Sequence, residues 1–168
     1  RVLRRVVGSR DGTRITNYEF GLDSDPADGA LRPYVSFVTS EGTEVKLGGA
    51  GGTDPFAGTL RVNAGEWTHI AATFNAQEYA LALYINGMPV ATAEYDTQQY
   101  RCPVSGNGLN PDGDFVGARI LVGEGLAGNV DELRIWGGAR SASQIYRSFR
   151  SVRADAVGGA EPVTPQYQ

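Results

Sequence analysis

The sequence predicts an all-β protein built from antiparallel strands, and three observations carry the prediction. Apolar residues alternate with their neighbours over several short runs, most clearly at residues 67–74 and 81–85. Turn signals separate these runs. The strongest is Asn86-Gly87 between two apolar stretches, because both central residues of a type I′ turn need positive φ, which Asn and Gly tolerate best. Composition agrees: 23 glycines and a modest charge content suit a turn-rich sheet protein better than a helical one.

Taken in order, residues 1–8 carry Val2, Leu3, Val6 and Val7 among three arginines and read as one short strand with an exposed start. Asp11-Gly12 is a turn, so residues 6–9 and 17–22 are expected to pair. A polar turn at 23–29 leads to a run at 31–39, with Tyr34, Ser36 and Val38 opposite Val35 and Phe37. A turn at 40–43 opens a short strand at 44–47. The glycine-rich stretch 48–55 does not suit phosphate binding, because Pro55 and an expected strand at 58–62 follow it where a helix is needed. In the next strand Ile70, Ala72 and Phe74 point one way, and Trp67, His69, Ala71 and Thr73 the other. Residues 95–114 form the longest irregular stretch, of the kind that is functional or disordered. Strands are expected again at 115–122, reaching a sheet edge, and at 130–136. Ser141 with Gln144 has the spacing of a capping box. The short helix it opens runs through Phe149, puts Ile145, Tyr146 and Phe149 on one face and is suited to cover a sheet edge. The division is therefore a domain over residues 1–150 and a Pro/Gly-containing tail or linker over 151–168.

At 168 residues one domain is expected. The net charge of −4 gives no reason to expect nucleic acid or an anionic membrane as partner, and no apolar run approaches spanning length, so no membrane insertion is expected. Cys102 is the only cysteine, so no internal disulfide forms. It reads as a packed thiol, with pairing to another chain as the alternative.

Three segments carry a resemblance. GEWTHIAATFN at 65–75, with Tyr84-Ile85-Asn86-Gly87 after it, resembles the middle of a laminin-G-like domain of the concanavalin A-like lectin/glucanase superfamily, where a Trp-His pair opens a strand and a Tyr-x-(Asn/Asp)-Gly hairpin follows. GNVDELRIW at 128–136, followed by ARSASQI at 139–145, is similar to the closing strand and short helical turn of laminin-G-like and pentraxin-like modules. YEFGLD at 18–23 and DGALRPYV at 28–35 resemble the family's earlier hairpin. Together the matches span residues 6–149. The resemblance implies an antiparallel two-sheet β-sandwich, a jelly roll, and places Trp67 and Trp136 in its core. It also implies a departure: about three strands usually precede the segment that residues 6–10 resemble. Their absence would leave sheet edges open to strand-sharing with another chain, to a homo-oligomer, or to the tail.

Candidate chemistry is limited. Retaining glycosidases need two carboxylates about 5 Å apart, and Asp131 and Glu132 are adjacent and point to opposite strand faces. No Ser-His-Asp arrangement is readable, so no enzyme activity is expected. Calcium takes six to eight oxygens from Asp, Asn and carbonyls. The resemblance puts Asp131 at a position that ligates calcium in several proteins of this fold, and the spacing of Asn110, Asp112 and Asp114 is compatible with a calcium loop. Ordinary turn hydrogen bonding is the alternative at both places. Sugar recognition uses exposed aromatics with amides and carboxylates, and Tyr95, Tyr100, Asn107, Asn110 and Asp112 could supply it. His69 reads as a structural hydrogen-bonder that needs a carbonyl or carboxylate partner. The expected function is a non-catalytic extracellular or cell-surface binding module for a glycan or protein, calcium-assisted or not. The alternative is a structural or adhesive assembly domain completed by strand addition.

Overall fold

The computed structural model describes residues 1–9, 14–38, 43–51, 56, 58–75, 77–95 and 115–158. Strands β1 (Leu3–Ser9), β2 (Arg14–Ser24), β3 (Leu31–Val38), β4 (Glu44–Gly48) and β8 (Phe115–Val122) build a five-stranded sheet in the order β4-β3-β2-β1-β8. Strands β5 (Ile70–Asn75), β6 (Ala80–Ile85) and β7 (Met88–Glu94) form a three-stranded sheet. All neighbouring strands are antiparallel. Helix α1 (Ala142–Gly158) follows. The result is the expected two-sheet sandwich with one helix, and β8 lies at a sheet edge as anticipated.

The alternation read from the sequence decides which side chains enter the space between the sheets. Val35 and Phe37 on β3 and Leu47 on β4 meet Leu81 and Leu83 on β6 and Ala91 on β7. Tyr18 and Phe20 on β2 pack against this cluster from its margin. The Asn86-Gly87 turn has φ of 51° and 78°, as its hairpin requires. Ser141 caps α1 reciprocally: its N–H donates to Gln144 Oε1 at 2.9 Å, and the Gln144 N–H donates to its Oγ at 3.3 Å.

Four expectations change. Residues 58–62 form no strand; Val62 makes only an isolated bridge to Leu31. The strand expected at 67–74 begins at Ile70. Among the described residues, 130–136 belong to neither sheet. The helix continues past Phe149 to Gly158, into the stretch expected to be tail.

The other face of the five-stranded sheet is polar, and most of its charges are paired, although Arg4 Nε is buried with no hydrogen-bond partner among the described residues. Arg32, 3% exposed, donates from Nε to Asp25 at 2.7 Å and from Nη2 to Asp28 at 2.9 Å. The Ala27 N–H and then Arg32 hold the Asp25 carboxyl below its ordinary range. A carboxyl whose folded pKa is depressed stabilises the fold above the unfolded value, near 3.9. That contribution is lost as pH falls through the folded pKa. Asp25→Asn is therefore expected to flatten the fall in melting temperature below about pH 4. Thermal melts across that range check this, and an unchanged slope contradicts it.

Candidate functional site

Two surfaces present chemistry that could engage a ligand, and their electrostatics separate them. The first is the outer face of the five-stranded sheet. There the Tyr34 hydroxyl donates to Glu19, which also accepts from Arg1 Nε at 2.6 Å. Lys46 Nζ pairs with Asp23 at 2.7 Å and lies 4.2 Å from the Tyr34 ring centroid. Arg4 pairs with Glu124 at 2.6 Å. Burial, then the Glu19 hydrogen bond, push the Tyr34 phenol well above its usual range, so it stays a neutral donor. Every charge in this network already has an opposite charge beside it, which leaves little to attract a ligand.

The second surface lies at the helix end of the three-stranded sheet, and it is built from the β6–β7 turn. Gly87 leaves room for α1: a Cβ there would stand 2.9 Å from Phe149 Cδ1 and 3.1 Å from Tyr146 Cδ2. Ile145 is buried, and the Phe149 ring lies 5.4 Å from His69. Gly87→Ala combines this close approach with a left-handed φ, and is expected to cost about 1–3 kcal/mol. Urea unfolding followed by helical circular dichroism checks it; no loss of stability would mean that α1 does not rest on the turn.

The His69 backbone is fixed to the same turn. Its N–H donates to Asn86 Oδ1 at 3.2 Å, and its carbonyl accepts the Asn86 N–H at 2.8 Å. Its imidazole corrects an expectation: Nδ1 is buried with no hydrogen-bond partner among the described residues. Burial first, then the charge of Arg134, lower its pKa and keep the ring neutral.

Large apolar side chains are exposed at residues 67 and 88, close in sequence to this turn, and along residues 133–136. Trp67 is 71% exposed, Ile135 55% and Trp136 47%, with Met88 and Leu133 also exposed. The core positions expected for both tryptophans are thus overturned, because the described residues supply no layer over them. Trp136 is covered on one face by the Arg140 guanidinium, 4.0 Å from its ring. Glu132 has a φ of 52°, which interrupts the extended run, and its carboxylate pairs with Arg134 at 2.7 Å.

Of the residues predicted for ligands or metal, Tyr95 is 9% exposed and its ring packs against Phe37, Phe74 and Tyr79. The period-two run Ala91, Ala93, Tyr95, in step with Leu81 and Leu83, could have shown that inward direction. Asp131 is exposed, and its Oδ1 accepts the Glu132 N–H at 2.8 Å. Among the described residues no group of three or more His, Cys, Asp or Glu side chains is placed to hold a metal. Tyr100, Asn107, Asn110, Asp112 and Asp114 lie outside the described residues, as does Cys102. The sequence reading missed Arg134, Met88 and the contact of Gly87 with α1.

A two-sheet antiparallel sandwich with one helix across a hairpin turn places the chain among the β-sandwich proteins. The chain belongs to the concanavalin A-like lectin/glucanases superfamily: the family model Laminin_G_3 matches residues 4–146. Among solved structures it is similar to the S-layer domain-containing protein of Clostridium thermocellum (residues 221–444 of that protein), at 20% identity and a TM-score of 0.32. That match covers 73% of this chain and 52% of the other, so the chain spans about half its length. Comparison with curated proteins gives no match. No helix among the described residues is long and apolar enough to cross a membrane.

Proposed function

We propose that this chain is a non-catalytic binding module acting outside the cell or at its surface, and that its ligand is another protein chain. The observation that carries this reading is the exposure of Trp67, Ile135 and Trp136, large apolar side chains that the described residues leave open to solvent. Large exposed apolar patches mark interaction surfaces, and, among the described residues, 130–136 belong to neither sheet. Assembly with other chains follows from the same surface.

A glycan is the second reading, favoured by the open ring of Trp67, which could stack on a sugar face. Tyr100, Asn107, Asn110 and Asp112 would supply its polar contacts, and calcium would draw on Asp131 with Asp112 and Asp114. A glycan array run in calcium and again in chelator separates the two. The protein-binding reading expects no specific signal in either condition. Specific binding abolished by chelator and by Asp131→Ala would overturn it in favour of a calcium-dependent lectin. Specific binding that survives chelator would favour a lectin without metal.

A further inference from the structure

His69 is the chain's only histidine, and it stands at the contact between α1 and the three-stranded sheet. Phe149 on α1 places its ring 5.4 Å from the imidazole and 6.5 Å from the Tyr146 ring, and Ile145 on the same helix is buried. The His69 backbone is tied to Asn86 by hydrogen bonds in both directions, and Gly87 next to it leaves room for Tyr146 and Phe149. The imidazole thus sits in a contact made of rings and aliphatic carbon. Its Nδ1 is buried with no hydrogen-bond partner among the described residues. We infer that this contact is an acid-sensitive latch, in which protonation of His69 releases α1 from the β6–β7 turn.

The chemistry follows from counting hydrogens. A neutral imidazole carries one N–H, so one nitrogen can stay bare, whereas an imidazolium carries two and needs an acceptor at each. Nδ1 has no acceptor among the described residues, and a charge placed there is costly unless an opposite charge pairs it. None of the elements around the ring offers one. The β6–β7 turn presents Asn86 and Gly87, neither of which ionises. Helix α1 presents the Phe149 ring and, over Tyr146, the Arg150 guanidinium, and it carries no Asp or Glu before Asp155. From residues 130–136 comes the positive charge of Arg134, which adds to burial in opposing protonation, while Glu132 is engaged with Arg134 at 2.7 Å. On the chain leading into β5, the Glu66 carboxylate accepts from Asn63 at 3.0 Å.

The direction of the effect is fixed by these surroundings. With α1 lifted away, the ring is hydrated and titrates near the ordinary 6.5. Docked, it titrates lower. Docking is therefore at full strength above the free value, weakens as pH falls below about 6.5, and stops weakening once pH is below the docked value. Each unit between the two values is a tenfold shift in the docking equilibrium. A free helix of 17 residues is marginal in water, so release also loosens α1 itself. What acid uncovers is Ile145, Phe149 and the turn beneath them. The switch does not depend on which ligand the chain binds.

Hydrogen exchange on the full chain tests the latch between pH 7 and pH 5, with peptides from α1 and β6 read by mass spectrometry and corrected for intrinsic rates. In the native chain α1 is expected to lose about tenfold of its protection by pH 5, while β6 keeps its own. His69→Phe retains a ring against Phe149 and cannot take up a proton, so its α1 protection should stay level. An NMR titration of the native chain's single imidazole, which needs no variant, should give a pKa below 6.5. The inference is overturned by α1 protection that is flat in the native chain, that falls equally in His69→Phe, or that is lost together with β6. A ring that titrates at or above 6.5 overturns it as well, even where His69→Phe does not fold.

Discussion

Replacing Phe37 with alanine is expected to lower the unfolding free energy by about 3–5 kcal/mol. The ring is 4% exposed, with centroids 5.3 Å from Phe74 and 5.1 Å from Tyr95. It therefore joins the two sheets through aromatic contacts. Removing it takes away its transfer energy and leaves a void whose walls are fixed by two hydrogen-bonded ladders and cannot collapse fully. Typical domains have about 5–15 kcal/mol to lose, so this single change uses a large share. Urea denaturation measures the loss, and Phe37→Leu, which refills much of the space, should cost about 1–2 kcal/mol. A loss below about 1 kcal/mol for the alanine variant would mean that the sheets are not held together at this point.

The second large effect is expected at Gly48, where β4 ends. Its φ is 80°, and a Cβ would stand 2.5 Å from the Pro33 carbonyl oxygen and 3.0 Å from Leu83 Cδ1. Pro33 belongs to β3 and is fully buried, so the obstructing atom is backbone that cannot move without disturbing the ladder. Gly48→Ala should cost about 2–5 kcal/mol, the left-handed penalty together with overpacking. Gly29 has a similar φ of 69°, but a Cβ there meets nothing within 4 Å. Gly29→Ala thus isolates the backbone part, about 1–2 kcal/mol. Equal losses at the two sites, measured by thermal or urea unfolding, would show that the contact with Pro33 has no consequence.

The sheets were legible in the sequence because alternation and turn chemistry are local. Leu81, Leu83 and Val35, Phe37 show which face points inward, and Asn86-Gly87 sets the hairpin, without knowledge of the rest of the chain. The capping box at Ser141 is equally local. Residues 58–62 and 130–136 mislead for one shared reason. Alternation says which faces a run would present once paired, and says nothing about whether a neighbour offers N–H and C=O groups to pair with. Trp67 and Trp136 mislead because the resemblance places both in a core, whereas the described residues supply no layer over them. The candidate surface was consequently hidden: its polar members could be named from residue type, but its apolar members looked like core. The contact of Gly87 with Tyr146 and Phe149 joins elements far apart in sequence, and no local pattern reports it.

The placing of β1 has a consequence for biosynthesis. On one side it pairs with β2, which follows within a few residues, and on the other with β8, where Ser9 stands opposite Phe115. The ribosome delivers β1 to β4 first, so their meander can form early. The second edge of β1 then waits for about a hundred further residues, roughly 5–20 s at ordinary elongation rates. Throughout that interval it is an open template for the strands of neighbouring nascent chains. The hazard peaks before the native state exists. Translation speed and local crowding on the polysome thus join the stability of the finished sandwich in setting how much chain reaches its fold.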